Sequence, residues 1–384
     1  MRREPVLVSA IRAAGAGGPP AGADGFYAPP AALPAEPGAL VRAERTTVSL
    51  LPGWALPATD AWRLMYRSTS ATGEPVGVTA TLLVPWAAPP PSRDGGRAVV
   101  AYAVGGHGLG EQCTPSVQLH HGTQVELAVI AAHLAQGWAV VVTDYQRSPG
   151  HAFLNAAASA HAVLDAVRAA RRVPGAGLDA GPVGIAGYGP GGAAAAAAAE
   201  RHPAYAPELD LRGVTAGAAP ANLAAVLAAA DGTAHAGLVP AALAGLHAAY
   251  PDLGLEALTP AGRSALQVAA RRCLPDVLDR WAGRPTAELV GAGGLAALLA
   301  AAPAWRARLD DQRLGRRTPR APVLLYHGLG DPIVPYGVVH RLADDWRSRG
   351  ADVQLAAYPV AVHGGALVEA VPQVHHWLGR HLAP

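Results

Sequence analysis

Val183-Gly184-Ile185-Ala186-Gly187-Tyr188-Gly189-Pro190-Gly191-Gly192-Ala193 reads as a short apolar strand, a sharp glycine turn and the start of an alanine-rich helix. This is the layout of a nucleophile elbow, in which Gly-x-Ser-x-Gly lifts a serine hydroxyl above the end of a sheet. Both flanking glycines, Gly187 and Gly191, are present, but the central position is a third glycine, Gly189. The central residue of such a turn is held in a backbone region that costs a non-glycine residue about 1–3 kcal/mol. Glycine enters it without the Cβ clash. Gly189 is therefore expected to keep the turn, relax its strain and delete the attacking oxygen. Gly187 and Gly191 are expected to let strand and helix approach closely. A merely flexible glycine-rich loop is the alternative, and the flanking segments weigh against it.

Upstream and downstream of the elbow, strands and helices alternate. Ala98–Val104, Trp138–Thr143, Pro182–Ala186 and Gly213–Gly217 read as buried strands. Gln124–Gln136, Asn155–Arg172 and Gly192–Arg201 read as the helices between them. The rhythm resumes with Pro322–Tyr326, Val338–Arg349, Val353–Tyr358 and Ala366–Leu382. Such alternation predicts an α/β fold, a mostly parallel sheet flanked by helices. Alternating runs at Thr46–Leu51, Trp62–Ser68 and Val76–Val84 predict antiparallel strands ahead of it. Residues 1–45, rich in Pro, Gly and Ala, are expected to form an irregular N-terminal arm. Residues 46–218 and 312–384 then make the core, and 219–311 a helical cap. Its candidate helices are Pro220–Ala230, Pro240–Ala249, Pro260–Asp279 and Thr286–Ala302, each opening on a residue suited to a helix start. An insertion of this kind, between two sheet strands, is placed to cover a ligand site.

The chain has 384 residues, 51% of them hydrophobic and 15% charged, ample for a large core. A net charge of +2 gives no reason to expect nucleic acid or an anionic membrane as partner. All 30 basic residues are arginine, which reads as GC-rich coding before it reads as function. No apolar run of about eighteen residues predicts a membrane span. Met1-Arg2-Arg3-Glu4-Pro5-Val6-Leu7-Val8 lacks the roughly 7–15-residue apolar stretch of an export signal, so a cytoplasmic location is expected. The only cysteines, Cys113 and Cys273, can pair or simply pack. The adjacent pairs His120-His121 and His375-His376 lack metal-ligand spacing, so neither metal nor cofactor is expected. Nothing in the chain signals an oligomeric state.

Two later positions complete a triad layout in the order nucleophile, acid, histidine. Asp331 follows the strand Pro322–Tyr326 in Gly330-Asp331-Pro332-Ile333, and His363 follows the next strand in Val362-His363-Gly364-Gly365. Both lie in loops after strand ends, where open parallel sheets bind ligands. A carboxylate on one imidazole nitrogen fixes the tautomer and makes the other nitrogen the working base. The alternative is a turn aspartate before Pro332 and a polar residue at a helix start. Other candidate attackers are Cys113, Thr114, Ser116 and Ser148, the last with His151 three residues on; a turn-forming Ser-Pro is the stronger reading of Ser148. His107, in the loop after the first parallel strand, either lines the pocket or stands exposed.

Taken together, these residues resemble the secretory lipase family of α/β-hydrolases, from Phe26 to Leu382. The similarity is carried by Phe26-Tyr27-Ala28-Pro29-Pro30, Gln112-Cys113-Thr114-Pro115-Ser116, Val141-Val142-Thr143-Asp144-Tyr145, Gly330-Asp331-Pro332-Ile333-Val334-Pro335 and His363-Gly364-Gly365, among others. The resemblance implies an α/β-hydrolase fold, Asp331 and His363 as acid and histidine of the triad, a helical lid and an apolar acyl pocket. The chain departs from the family at Gly189, at Val104-Gly105-Gly106 where a polar oxyanion loop is usual, and in lacking an export signal.

Loss of the nucleophile from a triad leaves roughly 10³–10⁴-fold catalysis over water. A His–Asp general base beside an apolar pocket survives that loss. The reading that follows is a non-hydrolytic enzyme performing cyclisation, elimination or isomerisation of a hydrophobic small molecule, in secondary metabolism. Backbone N–H groups near Gly105, Gly106 and the neighbour of Pro190 are the oxyanion candidates, with His107 and Tyr188 as further pocket candidates. Pro190 itself has no N–H. The alternatives are a lipase or carboxylesterase whose serine was substituted or replaced by another nucleophile, and an inert lipase-like binding protein.

Overall fold

The computed structural model describes residues 25–89, 96–147 and 152–383. Among the described residues eleven strands form: β1 (Leu40–Arg45), β2 (Ser49–Leu51), β3 (Trp54–Ala55), β4 (Thr59–Thr69), β5 (Pro75–Pro85), β6 (Val99–Ala103), β7 (Ala139–Thr143), β8 (Val183–Tyr188), β9 (Leu211–Gly217), β10 (Val323–Gly328) and β11 (Val353–Tyr358). Nine of them make one sheet in the order β1-β4-β5-β7-β6-β8-β9-β10-β11. The β1, β4, β5 and β7 pairings are antiparallel, and every pairing from β7 through β6 to β11 is parallel. Strands β6, β7, β8 and β10 are buried along their whole length, as their near-continuous apolar sequences require once helices cover both faces.

Two sequence expectations fail at the edge of the sheet. Leu40–Arg45, counted with the irregular arm, pairs antiparallel with β4. Within Thr46–Leu51 only Ser49–Leu51 is extended, and it joins β3 in a separate two-stranded sheet. The polar composition of an edge strand hides it from sequence patterning, because pairing on one side alone sets its conformation.

The helices Ala156–Arg171 and Pro190–Tyr205 pack together against the sheet. Ala194 to Ala199 are almost fully buried there. Alanine loses no rotamer entropy on burial and permits this close approach. Asn155 caps the first helix by accepting from the Ala158 N–H at 2.9 Å. Glycine is obligatory at the elbow flanks: a Cβ on Gly191 would lie 1.9 Å from the Ala103 carbonyl oxygen, and one on Gly187 2.3 Å from that of Gly191.

Between β9 and β10 the chain forms only helices. The expected Pro260–Asp279 helix is two, Pro260–Ala269 and Leu274–Trp281. Pro275 cannot sit in a helix interior and takes the first turn of the second piece instead. Thr286–Ala302 divides into Ala287–Val290 and Gly294–Ala301, and Pro303–Asp311 adds a helix that patterning had not separated. Ala366–Leu382 likewise resolves into His363–Glu369 and Val371–Leu382, with Pro372 in the first turn of the latter. Among the described residues, no single helix is long and apolar enough to cross a membrane.

Candidate active site

Strand order reverses at β6, whose neighbours are β7 on one side and β8 on the other. A crevice outside the carboxyl ends of the strands is expected at such a switch point. A cavity of about 190 Å³ lies there, lined by Val104–His107 after β6, by Tyr188–Pro190 at the end of β8 and by His363. Its cap wall is apolar, with Leu223, Val226 and Leu227 from one helix, Leu238 from the next and Leu274 and Leu278 from a third.

Gly189 sits at φ 56°, ψ −124°. The turn has therefore not relaxed as expected; it keeps a conformation that L residues rarely adopt. It is tethered on both sides, since the Gly189 N–H donates to the Gly217 carbonyl at 2.9 Å and its own carbonyl accepts from Ala193 at 3.0 Å. Nor is the missing serine side chain replaced by open space. A Cβ on Gly189 would stand 3.3 Å from His363 Nε2, so the imidazole closes over the glycine.

His363 Nδ1 lies 2.6 Å from Asp331 Oδ2. The Asp331 side chain is fully buried, and its Oδ1 accepts from the backbone N–H groups of Ile333 and Val334 at 2.8 and 3.0 Å. Burial pushes the Asp331 carboxyl up, but the His363 hydrogen bond and charge and the two amides outweigh it and hold it below the usual range. A carboxylate on Nδ1 makes that nitrogen the donor and leaves the Nε2 lone pair toward the cavity. Tyr188 packs beside this ring, at 5.0 Å between centroids, and donates its hydroxyl to the His363 carbonyl.

Two of the oxyanion candidates are unfit as donors. Pro190 occupies the first helical position, where its missing N–H costs the helix nothing. The Gly105 N–H is already engaged, donating to Glu126 Oε1 at 2.8 Å. Gly106 lines the cavity with its backbone exposed. His107 is 5% exposed, so it is a wall residue. It stacks on Tyr145 at 5.6 Å, and burial lowers it to about 4, which keeps the ring neutral.

The alternative attackers fare differently. Cys113 is bonded to Cys273. Thr114 Oγ1 donates to the Glu111 carbonyl at 2.7 Å, and Ser116 Oγ donates to buried Asp144 at 2.5 Å. Neither residue lines the cavity. Ser148 and His151 lie outside the described residues. Among the described residues, no three His, Cys, Asp or Glu side chains gather as a metal site.

One residue of the site escaped sequence reading. Glu126 lines the cavity as a buried carboxyl group, held by the Tyr102 hydroxyl at 2.6 Å as well as by Gly105. Burial pushes it up to about 7, against the lowering pull of those two bonds and of His363. The one available signal was an acidic residue within an otherwise apolar helix pattern. Cys273 brings the cap to the core: beside the disulfide, the Leu109 and Gly110 N–H groups both donate to the Arg272 carbonyl at 3.2 Å.

A model of the secretory lipase family matches residues 114–383. The chain belongs to the secretory lipase family. Within it, a Mycobacterium tuberculosis protein named "probable inactive lipase" is 30% identical over 92% of this chain and 81% of its own length. A secreted triacylglycerol lipase of Malassezia globosa is 31% identical, covering 92% of this chain and 78% of that protein. Among solved structures, Candida antarctica lipase A in its closed state superposes with a TM-score of 0.79 at 23% identity, over 91% of this chain and 84% of that one. A rice cell wall degrading esterase from Xanthomonas oryzae superposes with a TM-score of 0.73 at 20% identity, over 91% and 100%. The α/β-hydrolase fold, a largely parallel sheet flanked by helices, is thus shared with these solved structures.

Proposed function

We propose that this secretory lipase family member is a non-hydrolytic enzyme in which His363, oriented by Asp331, is the general base for cyclisation, elimination or isomerisation of a hydrophobic small molecule. One observation carries the reading: the imidazole is bonded to a buried carboxylate at 2.6 Å while its other nitrogen faces an apolar cavity that holds no serine hydroxyl. The Nε2 lone pair takes a proton from the ligand, and Asp331 balances the imidazolium that results. A positioned base contributes roughly 10²–10⁴-fold, and a cavity that holds the ligand in a reactive shape adds several kcal/mol. Ester cleavage is disfavoured twice over, by the lost nucleophile and by Pro190 and Gly105 as unfit oxyanion donors.

Ring opening of a nitrobenzisoxazole tests this directly, because that reaction needs a base and no nucleophile. The chain should accelerate it, His363→Ala should lose at least about 10²-fold, and p-nitrophenyl ester cleavage should stay near background. Equal rates for His363→Ala and the natural chain, or vigorous ester cleavage, would defeat the reading. The name of the Mycobacterium relative supports a second one, an inert lipase-like protein that binds an apolar ligand. It predicts ligand binding with no turnover of either probe.

We also infer an oxidising compartment in place of the cytoplasm expected from sequence. The Cys113–Cys273 bond favours it, since cytosolic thiols are kept reduced. The Malassezia relative, named a secreted lipase, agrees with it.

A further inference from the structure

Glu126 sits where the catalytic reading leaves a second half-reaction unassigned. Its carboxyl group lies on the floor of the cavity beside the elbow: a Cβ on Gly105 would be 3.2 Å from Glu126 Oε1, 2.7 Å from the Tyr188 carbonyl oxygen and 3.7 Å from Pro190 Cδ. His363 closes over Gly189 in the same cavity. The floor thus presents an imidazole and a carboxyl group around one glycine turn.

Glu126 is held by one hydrogen bond on each carboxyl oxygen. Both recorded bonds bring protons to it, from the Gly105 N–H to Oε1 and from the Tyr102 hydroxyl to Oε2. A carboxylate uses both; a neutral carboxylic acid in the same place also has an O–H that must find an acceptor. The Tyr102 hydroxyl oxygen, 2.6 Å from Oε2, can accept that proton, and because the carboxyl group also borders the cavity, a ligand oxygen can take it instead.

We propose that Glu126 is the second proton-transferring residue of the site, protonating the oxygen of an apolar carbonyl compound while His363 removes a proton from the carbon beside that carbonyl. This rests on the reading of His363 as a base and narrows its reaction class to isomerisation by way of an enol. In the first step the C–H bond breaks, its proton goes to Nε2, and its electron pair forms the carbon–carbon double bond. The carbonyl π pair moves to oxygen and takes the Glu126 proton. In the second step the enol O–H proton returns to Glu126, the carbonyl re-forms, and the displaced double-bond pair takes the imidazolium proton at the remote carbon. A β,γ-unsaturated ketone leaves as its conjugated isomer, and both residues regain their starting states with no oxidant or co-reactant. Burial, which raises Glu126 to about 7, keeps enough of it protonated near neutrality to act as the acid.

The test is conversion of a β,γ-unsaturated cyclohexenone to the conjugated enone, followed by ultraviolet absorbance. Glu126→Gln should lower the rate by about 10²–10⁴-fold, with urea melts verifying that the variant is folded. In the natural chain the rate should fall as pH rises through about 7, where Glu126 loses its proton. A folded Glu126→Gln protein that isomerises the ketone at the natural rate overturns the proposal. Should that variant not fold, a natural-chain rate that holds level above neutrality overturns it equally. A chain that opens nitrobenzisoxazole through His363 yet leaves the ketone unchanged refutes the role of Glu126 alone. A chain that acts on neither probe refutes both readings.

Discussion

His363 lies over Gly189 so closely that its Nε2 would be 3.3 Å from a Cβ at that position. The place where a serine would begin is thus already aligned with the base that would activate it, and the imidazole has to give way by only a few tenths of an ångström to admit one.

Gly189→Ser should therefore gain detectable p-nitrophenyl ester cleavage that depends on His363. The gain should remain about 10²–10³-fold short of an intact site, the usual cost of one absent oxyanion donor. The same change should lower stability by about 1–3 kcal/mol, since serine at φ 56° is strained. Ester kinetics and urea unfolding of the variant read out both effects; unchanged stability would argue against strain at the turn.

Asp331→Asn should preserve the fold but cripple base catalysis, because an amide does not hold Nδ1 as donor or stabilise the imidazolium. The analogous change in serine protease triads costs on the order of 10⁴-fold. Nitrobenzisoxazole ring opening should fall steeply in this variant, with ligand affinity largely kept. A rate within a few-fold of the natural chain would detach Asp331 from the mechanism.

Glu126 should leave a mark on the pH dependence of stability. Its folded-state pKa is raised to about 7 from the usual carboxyl value of 4.5, so its contribution is fully present below 4.5 and is lost as pH rises through about 7. At about 1.4 kcal/mol per unit, the loss across that window is on the order of 3 kcal/mol. Asp331 acts in the opposite sense: its carboxyl is held low, so its contribution falls away only as the solution turns acid. Urea midpoints of the natural chain and of Glu126→Gln between pH 4.5 and 8 should diverge in slope, with the variant flatter.

Paired serine substitutions at Cys113 and Cys273 should cost about 3–5 kcal/mol, given a closed loop with a sequence separation of 160. The effect should concentrate at the cap. Hydrogen exchange at the Leu109 and Gly110 amides, which bond the Arg272 carbonyl, should quicken before exchange in β6 or β8 does. Uniform quickening across the sheet would show that the disulfide secures the whole fold and not the cap attachment.

Much of the frame was legible because it rests on local pattern. Strands β6, β7, β8 and β10 announce themselves as short apolar runs, and Gly187 and Gly191 mark a turn by glycines that close backbone contact requires. The order of Gly189, Asp331 and His363 along the chain, each beyond a strand end, pointed to one rim of the sheet. Apolar periodicity misleads at Pro260–Asp279, where it runs on through Pro275 across two helices separated by a segment bridged to Gly108.

By itself the sequence determined the α/β class, the helical insertion and the absence of an attacking oxygen at 189, since each depends on residue type and spacing along one segment. Only the tertiary structure decided that Cys113 and Cys273 join, that Glu126 takes the Gly105 N–H from any ligand, and that the imidazole covers Gly189. Those are contacts between segments far apart in the chain. Burial and hydrogen-bond partners depend on which atoms meet after folding, and no local pattern carries that information.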